Sequence, residues 1–291
     1  MPYDGIVLSG ARPQFFYMER QGHEGNIETY LKGWRQVSRT IRWKEVGSAK
    51  KWQDVIPFMH TRANIVENNE IHNVMERLGD GNPIYVSGTG PFNIIRRNYV
   101  HHISRGSGMI RTDGWQKDTL ITENIIYKCI GGGIARKNYN HVENNIIADI
   151  EYDRGYVDFV SFPEDRPTAG SRVQRNILYH SGKEPIFYYV HSWSAEGRKF
   201  TRPKDTEADY NLFYCVGEPN AGSEFIDKMR ADGIEEHSIS ADPLFIDLEN
   251  GDFRLKPNSP ALKLGIKQID VTKIGLTEDF PKRFRKGIQT K

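Results

Sequence analysis

Cysteine is nearly missing from this chain. Only Cys129 and Cys215 occur in 291 residues. That excludes a disulfide framework, and the paired Cys/His spacing of a zinc site is also absent. No metal or cofactor motif is read. No apolar run reaches the roughly 18 residues that a membrane-spanning helix requires, and no signal peptide is read at the start. Charge of one sign is lacking as well. Forty basic residues stand against 38 acidic ones, a formal net charge of +2. So balanced a chain carries no field suited to nucleic acid or a membrane surface. The basic end Pro281-Lys-Arg-Phe-Arg-Lys286 reads as a solvated tail.

What is present is one short phrase that returns. Asn69, Asn98, Asn124, Asn145 and Asn176 each follow an apolar residue three positions earlier: Val66, Ile95, Ile121, Val142 and Val173. Each precedes another two positions later: Ile71, Val100, Ile126, Ile147 and Leu178. A worn sixth copy surrounds Asn211. Minus three and plus two differ in parity, so a straight strand cannot bury both; the chain must bend between them. Asn tolerates a left-handed bend better than other non-glycine residues, and its amide bonds to nearby backbone. Intervals of 29, 26, 21, 31 and 35 residues are too long for hairpins and too short for domains. They fit the coils of a solenoid whose strands stack at about 4.8 Å. The Asn side chains would then form a ladder. Helical solenoids require a 3.6-residue period that these phrases lack.

A second motif follows most Asn phrases. It reads Asn82-Pro-Ile84-Tyr-Val-Ser-Gly88, Gly108-Met-Ile110-Arg-Thr-Asp-Gly114 and Gly132-Gly-Ile134-Ala-Arg-Lys137. Gly155-Tyr-Val157 and Pro185-Ile186 are looser copies, and Asp4-Gly-Ile6 is an early one. Each coil therefore holds three strands, which defines a parallel β-helix. The predicted architecture is an all-β, single domain over residues 1–270. Within it, 11–60 is an insertion or cap, helical around Asn26 to Val37, and 64–217 are regular coils. Residues 192–207 form an exposed loop, and 218–238 a helix with Phe225, Ile226 and Met229 on one side. Residues 239–265 form a covering segment in which Phe253 and Leu255 close the last coil; 271–291 are the basic tail. Cys129 and Cys215 are expected inside. No capping element precedes Gly5. The open first coil is thus expected to be covered by residues 11–60, by a second copy in a homo-oligomer, or by further N-terminal coils.

These phrases, the Leu78-Gly-Asp80-Gly-Asn-Pro-Ile-Tyr85 segment and the ending Ala241-Asp-Pro-Leu-Phe-Ile-Asp247 resemble right-handed parallel β-helix proteins of the pectin-lyase-like superfamily. Within it, the resemblance is to carbohydrate-active members, especially glycoside hydrolases, and to their later coils. It implies a polysaccharide or oligosaccharide as partner and a secreted or periplasmic setting.

Ile6, Ile84, Ile110, Ile134 and Val157 are expected to point inward on one sheet. Alternation then turns Val7, Tyr85, Arg111, Ala135 and Asp158 outward in one row. Ser9, Ser87, Asp113, Lys137 and Val160 form a second. Such a groove offers aromatic, cationic and carboxylate groups to a sugar polymer. Glycoside hydrolysis uses two carboxyl groups, about 5–5.5 or 6.5–9.5 Å apart. The resemblance points to Asp80 and Asp113 as catalytic. Tyr85, Arg111, Trp115, Lys137, Tyr152 and Asp158 are substrate-binding candidates. The relatives' Ser-Asp-Gly-Gly stretch and second acid are replaced here by Gly79-Asp80-Gly-Asn82 and a lone Asp113 before Gly114. Asp80 and Asp113 sit seven positions out of step, more than about 20 Å if extended, so the glycines must curl Asp80 back. Asp113 with Asp158 is the fallback, about 12 Å apart by the same spacings. His72, His101 and His102 read as packing or edge residues. Two other readings stay open: a polysaccharide lyase using Lys137 or Arg111 on a uronate, and a carbohydrate-binding fragment without catalysis.

Overall fold

The computed structural model describes residues 4–10, 52–79, 81–114, 116–151, 154–160, 168–191, 201–276 and 281. The proposed helix around Asn26 to Val37 lies outside them. So do residues 192–200 of the expected loop; residues 203–205 form a 3-10 turn.

The described residues form six coils of three strands. The first holds β1 (Ile6–Ser9), β2 (Ile65–Glu67) and β3 (Glu70–His72). The second holds β4 (Ile84–Ser87), β5 (Asn93–Arg96) and β6 (Tyr99–His101). Then come β7 (Ile110–Asp113), β8 (Thr119–Thr122) and β9 (Ile125–Ile130), followed by β10 (Ile134–Lys137), β11 (His141–Glu143) and β12 (Ile146–Glu151). The fifth has β13 (Val157–Val160), β14 (Arg172–Gln174) and β15 (Ile177–His180); the sixth has β16 (Tyr188–His191), β17 (Glu207–Asp209) and β18 (Leu212–Cys215). First strands form parallel sheet A, second strands sheet B, and third strands sheet C, which also takes β19 (Ile239–Ser240).

The Asn spacing sets the register. Val66, Ile95, Ile121, Val142 and Val173 are paired down sheet B, and Ile71, Val100, Ile126, Ile147 and Leu178 down sheet C. All ten are buried in one core. Cys129 joins that core, and burial pushes its thiol up to about 12.

The bend itself corrects one expectation. The left-handed residue is the one before each ladder Asn: Asn68, Arg97, Glu123, Asn144, Arg175 and Tyr210, with φ between 52° and 59°. The Asn that follows serves through its amide. In the first four coils its Nδ2 donates across the bend to the carbonyl two residues earlier, as Asn124 does to Thr122. It also donates to the Oδ1 of the Asn in the next coil, and those links run unbroken from Asn69 to Asn211 at 2.8–3.0 Å. Because the amide holds these corners, Arg97 and Glu123 are tolerated at a conformation that costs an L-residue about 1–2 kcal/mol. Ser238 Oγ accepts from Asn211 N where a seventh Asn would stand, and the buried Glu235 carboxylate takes the Asn211 amide.

A second polar column lies five positions before each ladder residue: Asn64, Asn93, Thr119, Asn140, Ser171 and Thr206. It sits at the corner between sheets A and B. Asn64 Nδ2 donates to Asn93 Oδ1 at 3.0 Å, and Asn140 Oδ1 accepts from Thr119 N and Gln116 Nε2. Every member is a short polar residue five positions before a ladder Asn, a spacing legible in the sequence.

The C-terminal part differs from expectation. The last coil is closed by helix Ala221–Ala231, whose Ile226 and Met229 join the main core with Phe213 and Ile234. Phe253 and Leu255 are not there. They belong to a strap holding β20 (Phe245–Asp247) and β21 (Asp252–Leu255), which runs back along the outside of sheet C. Phe253 meets Tyr99 and Tyr127 edge-on at 5.6 and 5.1 Å. The strap continues past residue 270: Ile274 is buried, and Gly275 N donates to Asn68 O in the first coil. The reason is the outward face of sheet C. Tyr99, Ile125, Ile146, Ile177 and Leu212, one position after the ladder Asn of the second to sixth coils, make that face apolar and require a cover.

Candidate functional site

Sheet A pairs Ile6, Ile84, Ile110, Ile134 and Val157 in register, as the second motif predicts. In the sixth coil, however, Tyr188 rather than Ile186 pairs with Val157. Ile186 is exposed, and the shift of two puts Tyr189 beside Asp158 and His191 beside Val160. Both were missed, because Pro185-Ile186 mimics the Pro83-Ile84 signal.

The outward rows converge on Asp113. Tyr85 pairs with Arg111, and Ser87 with Asp113, on β4 and β7. Tyr85 Oη donates to Asp113 Oδ2 at 3.0 Å, where Arg111 Nη2 also stands at 3.1 Å. Lys137 Nζ and the Gly114 N–H, the latter at 2.6 Å, donate to Oδ1. Gly114 reaches that bond at φ +63°, which suits glycine. Asn138 Nδ2 from the next coil clips the turn by donating to Gly114 O at 3.0 Å. Arg111 Nη1 also donates to Ser107 Oγ.

Electrostatics follow from this packing. Burial pulls the Asp113 pKa up, but Lys137 and Arg111 outweigh it and hold the carboxyl below the usual carboxylate range. Burial pushes the Lys137 ammonium down to about 8, against the opposing pull of Asp113. Burial and then the Asp113 charge raise the Tyr85 phenol. Asp113 is therefore an anion at neutral pH, with four donors on two oxygens. It can accept a proton or attack as a nucleophile; it cannot serve as the acid.

Asp158 departs from the expected groove floor. It is fully buried, with Arg154 Nη1 3.7 Å from its Oδ2. Its Oδ1 accepts from Gly155 N at 2.9 Å, so the side chain turns back toward the start of its strand, away from Asp113. Oδ2 has no hydrogen-bond partner among the described residues. Burial raises its carboxyl to about 7. Arg111 pairs with Asp113, and Arg154 with Asp158. The Asp113–Asp158 pair is thus not brought together. Lys137 is also covered, at 2 % exposure; it reaches Asp113 rather than solvent.

Asp80, Trp115 and Tyr152 lie outside the described residues. Gly81 packs against Asp4 and Met75, and Asn82 Nδ2 donates to Ser107 Oγ, the group that Arg111 also holds. His72, His101 and His102 stack on sheet C instead, where His101 bonds Glu70 at 3.1 Å. Among the described residues no group of three or more His, Cys, Asp or Glu is placed to hold a metal ion, and no helix is long and apolar enough to cross a membrane.

Comparison with known families matches the right-handed beta helix region over residues 55–204, just over half of the chain. No curated protein and no solved structure matches. The match agrees with the three parallel sheets and with the ladder that stacks them, and the chain belongs to the right-handed β-helix family.

Proposed function

We propose that this chain is a carbohydrate-active enzyme, a glycoside hydrolase working on a plant or microbial polysaccharide along the outer side of sheet A. The observation that carries the reading is Asp113, an ionised carboxylate at the surface of β7 held by Lys137, Arg111 and Tyr85. Such a group fills the role of base or nucleophile. As base it takes a proton from water as the water oxygen bonds to the anomeric carbon. The partner acid gives its proton to the departing glycosidic oxygen. Asp80, between Gly79 and Gly81 in the sequence, is proposed as that acid. Lys137 and Arg111 keep Asp113 charged, and Trp115 and Tyr152 are proposed as sugar contacts.

A second reading, a lyase on uronate polymers, is favoured by the lowered pKa of Lys137, whose neutral amine would take the proton beside a uronate carboxylate as the glycosidic C–O bond breaks and a C=C bond forms. Products decide between them. Incubation with neutral and acidic polysaccharides should release reducing ends without the ultraviolet absorbance of an unsaturated uronate. That absorbance would select the lyase. Turnover should vanish in Asp113→Asn and Asp80→Asn; full activity in Asp113→Asn would refute both uses of this site.

A further inference from the structure

The floor of sheet A is open on one side of Asp113 and closed on the other. In the first three coils Val7 is 48 % exposed, Ser9 is exposed, and Tyr85, Arg111 and Asp113 are partly exposed, with Ser87 alone of the outward residues buried. In the next two coils Ala135, Lys137, Asp158 and Val160 are each 2 % exposed or less, before Tyr189 and His191 of the sixth coil, which are partly exposed. Part of the cover is visible. A Cβ at Gly108 would stand 2.5 Å from Ala135 Cβ, so the loop before β7 lies on the outward face of β10. Gly132 lies against Asp158 Oδ2 and Ser107 O, with Arg154 alongside. Lys137 Nζ is bonded to Asp113 itself and forms the boundary.

From this asymmetry we infer that the enzyme acts from a chain end, accepting a polysaccharide whose remaining units extend only over the first and second coils. The inference rests on the hydrolase reading and adds the mode of cleavage. A saccharide lying across the coils would meet Tyr85 one coil step from Asp113 and Val7 with Ser9 two steps away, about 5 and 10 Å by strand spacing. Past Asp113, Ala135 lies beneath Gly108 and Asp158 against Gly132, while Lys137 and Val160 are buried as well. A polymer threading past Asp113 in both directions would have to unseat glycine-packed backbone, whereas a terminal unit stops against it.

The test uses the full chain on xylan, arabinan, polygalacturonate and alginate, and on oligosaccharides of each carrying a bulky fluorophore at one end or the other. One short product should accumulate from the first time point, with little loss of viscosity. Blocking one of the two ends should cut turnover at least about tenfold while blocking the other leaves it unchanged. A ladder of product lengths with an early viscosity drop, or indifference to both blocks, overturns end-wise action and leaves the hydrolase reading standing. Absence of turnover on every polymer overturns both.

Discussion

The Asn ladder makes a quantitative demand at Asn124. This residue is fully buried in the third coil. Its Nδ2 donates to Ile95 O at 2.9 Å, Thr122 O at 3.1 Å and Asn145 Oδ1 at 3.0 Å. Its Oδ1 accepts from Asn98 N at 3.0 Å and Asn98 Nδ2 at 2.9 Å. Asn124→Ala removes all five. The Asn98 amide keeps Val66 O and Arg96 O, but the buried Asn98 backbone N–H loses its acceptor. The left-handed Glu123 also loses the bond that spans its bend. An orphaned buried donor costs about 1–3 kcal/mol, and the cavity and released bend add to it. The expected loss is about 3–5 kcal/mol, a large part of the roughly 5–15 kcal/mol available to a folded domain. Asn124→Asp should lose at least as much, because a carboxylate cannot donate to Ile95 O. Asn69→Ala, at the part-buried ladder end, should lose less. Urea unfolding followed by tryptophan fluorescence and circular dichroism measures all three. A loss below about 1 kcal/mol for Asn124→Ala would show that the apolar pairs alone hold the coils, and the ladder argument would fail.

Four further outcomes are expected. Lys137→Met removes the main charge that keeps Asp113 ionised while leaving it buried, so the acid limb of the pH–rate profile should move up by about one unit or more; an unmoved limb would detach Lys137 from the chemistry. Asp158 binds its proton more tightly folded than unfolded, so its contribution to stability is complete below about pH 4 and is lost as pH rises through about 7. Asp158→Asn should therefore gain about 2–4 kcal/mol on wild type between about pH 4 and pH 8 in urea titrations, if burial governs the group. Gly131→Ala would place a Cβ 1.9 Å from Gly106 O at φ +125°, and should lower the melting temperature by about 10 °C or more; a neutral result would mean that the loop over β10 yields easily. Phe253→Ala should loosen the strap, raising hydrogen exchange in residues 245–274 well before the coils respond; simultaneous exchange would make strap and solenoid one cooperative unit.

Much of the molecule can be read from the chain before any coordinate. Apolar residues at minus three and plus two around each Asn gave sheets B and C, their register and their inward faces. The second motif aligned Ile6 through Val157 on sheet A. It failed at the sixth coil, where Pro185-Ile186 imitates a strand start and the true inward residue is Tyr188. The left-handed corner is expected at Asn itself, yet it falls one residue earlier, on side chains as unlike as Arg97 and Glu123. Propensity pointed to the residue type that favours the bend; the side-chain bond across the corner decided the residue that makes it.

Repetition is a local property, so the sequence by itself determined the solenoid: the same phrase must solve the same burial problem in every coil. Exposure is not local. Alternation places Tyr85, Arg111, Asp113, Lys137 and Asp158 outward alike, and only the tertiary structure distinguishes them. It gathers three of them on the Asp113 carboxylate, turns Asp158 back under Gly132, and lays the strap along sheet C rather than over the last coil. Those outcomes depend on which loops, distant in sequence, settle on each face, and on the burial and charge that their packing brings with it.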